Sequence, residues 1–584
     1  MKFINKMLML LALFIGVSCS QLTDLDINTN PNSPSIENIS GETLYNNIQV
    51  SFANFFESTF FFTSSSTRMR HMNSFFYRTI YSPETFDGIW INAYSGVLQD
   101  IEALEDIQNE TPIWGYEFYT SRILQAYTLT TLVDLFGDVP FSEAFQGTDV
   151  ISPNVDDQAS LYATAEGFLL EAIDSLASAN ITEPSYDNYF DGSAASWISA
   201  AKGLLMRMYN NTRLVDASAA GKMQALVDEG DFNVDFQFNW SSNRANPDSR
   251  HPQYASDYEA DDGGYMANYY MWLLVGEKEE FDPRARYYFY RQASLFTADN
   301  VDLNEWDCVV TTTPFDDIPP GQLDHILAID PNLPFCIASA NGYMGRDHGN
   351  GQGIPPDGPN RVEWGVYPVG GNYDDNSFAG TQNDGVDGAL GQGISPIWLS
   401  SFNQFIIAEA AEAGFINGDA RAALEAGVRT SIAKVRSFDS RVAASQLNPA
   451  FMTSDSLVDA YVAEVMANYD AADDKLDVIM KEYYIAIFGN GIESYNNWRR
   501  TGKPNNMQPL IDAGAAADPR FPRTALYPSN FVNRNANVVQ RDPSEQVFWD
   551  NNPADFVSVS YTHLRAHETV LDLVCRLLLE KNGC

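Results

Sequence analysis

Histidine and cysteine are scarce in this 584-residue chain, which has six of the former and five of the latter. No two of Cys19, Cys308, Cys336, Cys575 and Cys584 form a CxxC pair, so a zinc ribbon is excluded. The sequence holds no HExxH, no GxSxG and no GxxxxGK[ST], which removes the zinc-protease, serine-elbow and P-loop readings. Positive charge is short as well. Lys and Arg number 35 against 77 Asp and Glu, a net charge of −42. Such a field repels nucleic acid and anionic lipid surfaces. Near the N-terminus the apolar run Met7 to Val17 has only eleven residues, and a spanning helix needs about 20.

Apolar residues at 45% and aromatics at 13% are present in the proportion of a folded protein, with enough chain for a large core. The eleven-residue run follows Lys2 and Lys6 and ends at Ser18-Cys19, the layout of a secretory signal peptide. A cysteine directly after a small residue resembles a bacterial lipobox, although Gly16 stands where leucine is usual. Residues 1–18 are then expected to be removed and Cys19 to carry lipid, anchoring the chain to a membrane without spanning it. The polar, proline-containing stretch to residue 36 reads as a flexible tether (19–36). Cys308 and Cys336 would close a loop of about 30 residues if bridged; two free buried thiols fit equally well.

From there the apolar residues fall at helical spacing. The phenylalanine-rich SFANFFESTFFFTSSS predicts a packed helix, and Trp90, Ala93, Tyr94, Val97, Leu98, Ile101 and Leu104 mark another. Further amphipathic segments follow: one stopped by Gly137 and Pro140, one from about Ser160 to Ala177, and one from Ser196 to Leu214. The helical scaffold is expected over about 40–230 and again over 396–488, as paired hairpins without a clean 34-residue repeat. Between them, 231–395 is dense in Gly, Pro, Asn, Asp and aromatics and predicts loops, turns and short strands. A loop region this long is usually functional. The part from Gly489 to about Asp555 also reads as loop-rich. The last residues, 558–584, do not continue this pattern. VSYTHLRAHET looks like an in-frame translation of a sequencing-library adapter, so this tail is expected to be foreign, with its His563 and His567 pair.

Within the middle region, Trp306, Tyr343, Trp364, Tyr367 and Tyr373 stand among Asn, Asp, Gln and Arg. An aromatic face covers the C–H face of a sugar ring while amides and acids pair with its hydroxyls, so these residues with Arg346 are the candidate ligand set. Closure of a loop-rich core explains the same rings. Arg346 and Arg361 offer local positive charge in an acidic chain. His348, in GRDHGNGQG, fits a structural hydrogen-bonder better than a catalyst, and DNYFDG (187–192) and NDGVDG (383–388) fit Asx-Gly turns better than calcium loops. No cofactor is implied.

Eight blocks in order, spread over nearly all of 20–557, carry a resemblance. They include DLDINTNPNSP (24–34), LTTLVDLFGDVPFSEAF (129–145), SWISAAKGLLMRM (196–208), GRDHGNGQGIPPDGP with WGVYPVGG (345–371) and FGNGIESYNNWRRTGKPN (488–505). FIIAEAAEAGFINGDARAALEAGVRTSI, FPRTALYPSN and QVFWDNNP complete the set. The chain resembles the SusD/RagB family, in particular its SusD-like branch of Bacteroidetes outer-membrane lipoproteins. One departure is the usual Asn of the tryptophan-led helix, replaced near Gly203.

The resemblance implies a mostly α-helical domain over 37–557, with irregular tetratricopeptide-like hairpins behind a loop-rich ligand face. It implies a non-enzymatic, lipid-anchored lid on a SusC-like TonB-dependent β-barrel transporter, facing the cell exterior and capturing oligosaccharides, or peptides in some members. It carries no catalytic residue over, and it makes Arg499 and Arg500 fold-keeping, with guanidinium groups buried against carboxylates. Two other classes stand beside it: a surface glycoside hydrolase, and a protein that only holds its barrel.

Overall fold

Ser40 opens the first long helix by accepting a hydrogen bond from Thr43 N, an N-cap of the ordinary kind. In this computed structural model residues 39–553 are described, apart from 75, 179–180, 185, 261–262, 295–323, 336, 340, 352–360, 382–383, 443–447 and 512–520. The signal, lipid-cysteine and tether segments, the tail, Trp306 and all five cysteines lie outside the described residues. That helix, α1 (Gly41–Ser66), buries Leu44, Tyr45, Ile48, Phe52, Phe55 and Phe56, the i, i+3, i+4 face of the phenylalanine run. Its hydroxyl-rich end is buried too, and stays soluble in the core because each hydroxyl bonds back along the helix. Thr63 Oγ1 donates to Thr59 O and Thr67 Oγ1 to Thr63 O, both at 2.8 Å.

The fold is mostly α-helical. A short helix, Asp87–Ile91, runs through a π-helical turn, Asn92–Leu98, into α2 (Gln99–Glu110). Next come α3 (Gly115–Phe136), α4 (Gln158–Leu176), α5 (Ala194–Thr212) and α6 (Ala219–Glu229), each packed on the one before it. Gly137, at φ +75°, ends α3 where a side chain would collide with Arg541. After the middle region the helices return as α8 (Ser400–Glu412), α9 (Ala420–Arg436), α10 (Asp455–Ala471), α11 (Lys475–Ala486) and α12 (Gly491–Thr501). Here α8 packs on α9 and α11, and α12 lies against α1. No helix among the described residues is long and apolar enough to cross a membrane.

The described residues of the middle region form turns, short strands and short helices, among them the buried α7 (Asn268–Val275) that its aromatic density conceals. Two small antiparallel pairs close it. β1 (Phe236–Asn239) joins β4 (Ile394–Trp398), and β2 (Phe289–Arg291) joins β3 (Val362–Trp364) with Tyr290 opposite Glu363.

In the loop-rich C-terminal part the helix α12 corrects the expectation. Its sequence, GIESYNNWRRT, has a narrow apolar stripe in Ile492, Tyr495 and Trp498 but is polar on average, and it is buried on its polar side too because those groups find partners. Asn496 Nδ2 donates to Asp134 Oδ2 at 2.8 Å, and Glu493 accepts from Arg207 Nε at 2.5 Å. Arg207 Nη2 reaches the same Asp134 at 3.0 Å, Trp549 Nε1 donates to it at 2.9 Å, and the Tyr162 hydroxyl also donates to it. One buried carboxylate on α3 thus ties α4, α5, α12 and the C-terminal segment together. Arg500 is paired with a carboxylate, Glu409, as expected. Arg499 is not. It donates to the carbonyls of Asp134 and Arg523 and stacks 4.0 Å over Tyr495.

Candidate ligand-binding site

The chain from the end of α7 to the end of β2 builds one wall of an open recess of about 460 Å³. Val275, Phe281, Arg286 and Arg291 come from this wall. Ser339, Asn341 and Tyr343 face it from one loop, and Asn376 and Phe378 from another, with Ser294 at the edge. The volume and the mixture of rings, amides and guanidinium groups suit a small polar ligand.

Arg291 is the keystone. Its guanidinium lies 4.7 Å from the Tyr343 ring and 5.0 Å from Phe378, between the two. Nε and Nη2 grip Asp374 at 2.6 and 3.0 Å, and Nη1 donates to Asn341 O at 2.7 Å. Arg286 stacks over Phe281 and Phe451, at 5.5 and 4.9 Å. Its Nη1 donates to Asp374 O at 2.9 Å and to Asn376 Oδ1 at 3.1 Å. Asp374 is buried behind the wall, and none of the described residues lining the recess is Asp or Glu.

Backbone strain concentrates here. Asn341, Asn376 and Phe378 have φ of +69°, +63° and +51°, half of the six non-glycine residues with positive φ among those described. Each costs about 1–3 kcal/mol and persists only where its surroundings enforce it, which is typical of ligand sites. The Tyr343 hydroxyl is buried with no hydrogen-bond partner among the described residues, and burial pushes its pKa up.

Of the residues the sequence points to, Tyr343 lines this recess, and Trp306 lies outside the described residues. The other rings are in the core rather than on an open face. Trp364, 1% exposed, packs between Phe60 and Phe488, with ring centroids at 5.7 and 4.8 Å. Tyr367, also 1% exposed, packs on Tyr288 and Phe438. Tyr373 packs on Tyr287 and donates to Phe451 O at 2.6 Å. The turn-rich chain carrying them folds back onto β2 and Phe488, so no sugar ring reaches these faces. Arg346 is buried against Tyr265, 4.7 Å from its ring, and Arg361 pairs with Glu363 at 2.9 Å.

His348 accepts or donates at Nε2 to the Tyr77 hydroxyl, 2.8 Å away, and burial pulls its pKa well below the usual range. Asp187 is saturated by N–H and O–H donors, among them Tyr116, Trp197 and Gly192. Asp384 accepts from Val386 N in a local turn. The buried carboxyl groups of Asp257 and Glu363 share a site, and burial pushes both pKa values up. They bond Trp364 N and Gln292 Nε2, at 2.9 and 2.7 Å, away from solvent.

Sequence reasoning missed Phe281, Arg286, Arg291, Asn376 and Phe378. The signal available was PRARYYFYRQ, in which two arginines flank an aromatic strand.

A family described as SusD-like, "starch-binding associating with outer membrane", matches residues 31–301 and 364–528 by its sequence model. Solved structures share the fold at low identity. A chitin-binding protein, 16% identical, superposes with a TM-score of 0.61 over 88% of this chain and 100% of its own. A SusD/RagB family protein from Bacteroides thetaiotaomicron, 19% identical, gives 0.60 over 88% and 100%. A chitin-binding SusD homolog from Flavobacterium johnsoniae, 18% identical, gives 0.55 over 88% and 99%. No curated protein sequence matches the chain.

Proposed function

The chain belongs to the SusD-like family of outer-membrane-associated proteins, and from that premise we propose that it is a surface lipoprotein that binds nutrient oligosaccharides and delivers them to a SusC-like TonB-dependent transporter. The observation that carries the binding reading is the strained recess around Arg291. Its half-buried Phe281 and Phe378 offer apolar faces to a sugar ring, and Asn341, Asn376 and Ser339 offer partners for hydroxyls. Similar folds are found in proteins named for chitin binding, which supports a glycan ligand here.

Binding without catalysis is the reading favoured by the site. A glycoside hydrolase needs two carboxyl groups flanking its substrate, and the described lining of the recess supplies none. Cys19 would carry the lipid, the stretch to residue 36 would be the tether, and 37–557 would form the binding domain, with 558–584 foreign to it. Capture would depend on closure against the barrel, since shallow sites of this kind bind in about the μM to mM range.

The test is calorimetry of the purified protein with neutral and acidic oligosaccharides, repeated with Phe378→Ala. Saturable binding without product, weakened at least fivefold by the variant, is expected. Binding unaltered by Phe378→Ala would move the ligand elsewhere. Release of shortened sugars would make the protein an enzyme. Co-purification with a TonB-dependent barrel from the outer membrane checks the partner.

A further inference from the structure

Arg286 differs from the other arginines around it. Arg291 has every donor nitrogen bonded, and the buried Arg284 is held by Asp282 and Glu482 at 2.7 and 2.8 Å. Arg286 uses only Nη1, on a backbone carbonyl and an amide, and its carboxylate neighbour Asp374 stands 3.7 Å away, already gripped by Arg291. Among the described residues the Nε–Nη2 edge of Arg286 makes no hydrogen bond, and its side chain, which lines the recess, is 19% exposed. Two guanidinium groups against one carboxylate leave one positive charge there, in a chain of net charge −42.

An Nε–Nη2 edge is one of the two forks that bind a carboxylate or sulfate bidentately. Stacking on Phe281 and Phe451 holds the guanidinium in one plane, so little freedom is lost when it binds. We propose that the recess takes the anionic group of an acidic oligosaccharide, a uronic carboxylate or a sulfate, on the free edge of Arg286. This rests on the recess being the glycan site. The overall negative charge does not oppose it strongly. Charges farther than about 8 Å are screened at physiological salt, whereas the fork acts in direct contact.

The test is calorimetry of the purified protein with tetrasaccharides from polygalacturonate, alginate and chondroitin sulfate, beside neutral ones from amylose, cellulose and chitin. At least one acidic tetrasaccharide is expected to bind tenfold or more tightly than any neutral one, and to weaken on raising NaCl from 50 to 300 mM. The uronates and the sulfate ester distinguish the two anion types. Arg286→Gln is expected to cut that affinity about tenfold while the protein stays folded with a cooperative melting transition and keeps its affinity for neutral sugars, and Arg286→Lys to restore part of the acidic binding. If neutral sugars bind as tightly as acidic ones, or if Arg286→Gln leaves acidic binding unchanged, the anion assignment fails while glycan binding stands. If no saccharide in the panel binds, both readings fall.

Discussion

Arg500 grips Glu409 by both carboxylate oxygens, Nε on Oε1 at 2.8 Å and Nη2 on Oε2 at 2.6 Å, with both side chains buried. Arg213 adds a third charged contact at 2.6 Å and Asn210 a fourth donor at 3.0 Å, joining α5, α8 and α12. Burial alone would raise the carboxyl's pKa, but Arg500 and Arg213 outweigh it and pull it down from 4.5 to about 2. A carboxyl depressed by folding stabilises fully above its unfolded pKa and loses that contribution as pH falls through the folded one. The window is therefore about pH 4.5 down to 2. At neutral pH Glu409→Gln, which strands two buried guanidinium groups, is expected to cost about 3–5 kcal/mol. By pH 3 about 2 kcal/mol of the difference from wild type should have gone. Urea unfolding of both proteins from pH 7 to 3 measures this, and a constant gap would refute it.

Asp134 is the second buried hub, and its two oxygens accept from Arg207, Asn496, Trp549 and Tyr162. An amide at this position turns an NH₂ group toward N–H and O–H donors whichever way it faces. Asp134→Asn is expected to destabilise the protein by about 3 kcal/mol or more, because Arg207 keeps only Glu493 as a counter-charge. The urea midpoint reports the loss. A change under about 1 kcal/mol would mean that the hub is not what ties α3, α5 and α12.

Tyr343 offers a cleaner probe of the recess. Its hydroxyl is buried and has no partner among the described residues, so removing it takes away a desolvation cost. Tyr343→Phe is expected to leave stability unchanged or raise it by about 1 kcal/mol, since the stack with Arg291 survives. A fall of more than about 1 kcal/mol in the urea-unfolding free energy would show that the hydroxyl has a partner within the protein.

How much of this was legible in the sequence follows from the range of the interactions. Helices α1, α4 and α5 were readable because their apolar spacing is local, and their caps, Ser40, Asp157 and Ser193, sit within three residues of the N–H groups they bond. Helix α12 was not, because what buries it is a set of partners as distant in sequence as Asp134 and Arg207. The aromatic loops show the same limit. Tyr343 and Trp364 both stand among Gly, Asn and Arg, yet Tyr343 reaches the recess while Trp364 sits against Phe60, some three hundred residues earlier. Arg286 could be named from PRARYYFYRQ, but its free edge follows only from Arg291 holding Asp374.

Gly203 illustrates the same dependence at the position where the resemblance broke down. It lies in α5 facing Trp398, and a Cβ there would stand 2.8 Å from Trp398 Nε1, 2.9 Å from Cδ1 and 3.1 Å from Asn403 Oδ1. The indole is buried and hydrogen-bonded to Asn403 at 2.8 Å, and Asn403 is tied to Phe232 O at 2.7 Å, so the ring has no room to retreat. The tryptophan thus fills the space that a larger residue on the helix would take. An alanine in a helix interior should gain about 1 kcal/mol over glycine. Overpacking of this kind costs about 1–3 kcal/mol, and the short distances put it at the upper end. Gly203→Ala is therefore expected to lower the melting temperature, and combining it with Trp398→Ala should be less destabilising than the sum of the two single changes. A rise in melting temperature for Gly203→Ala would show that α5 and the Trp398 end of β4 can separate at this point, and that the missing side chain has no structural cause.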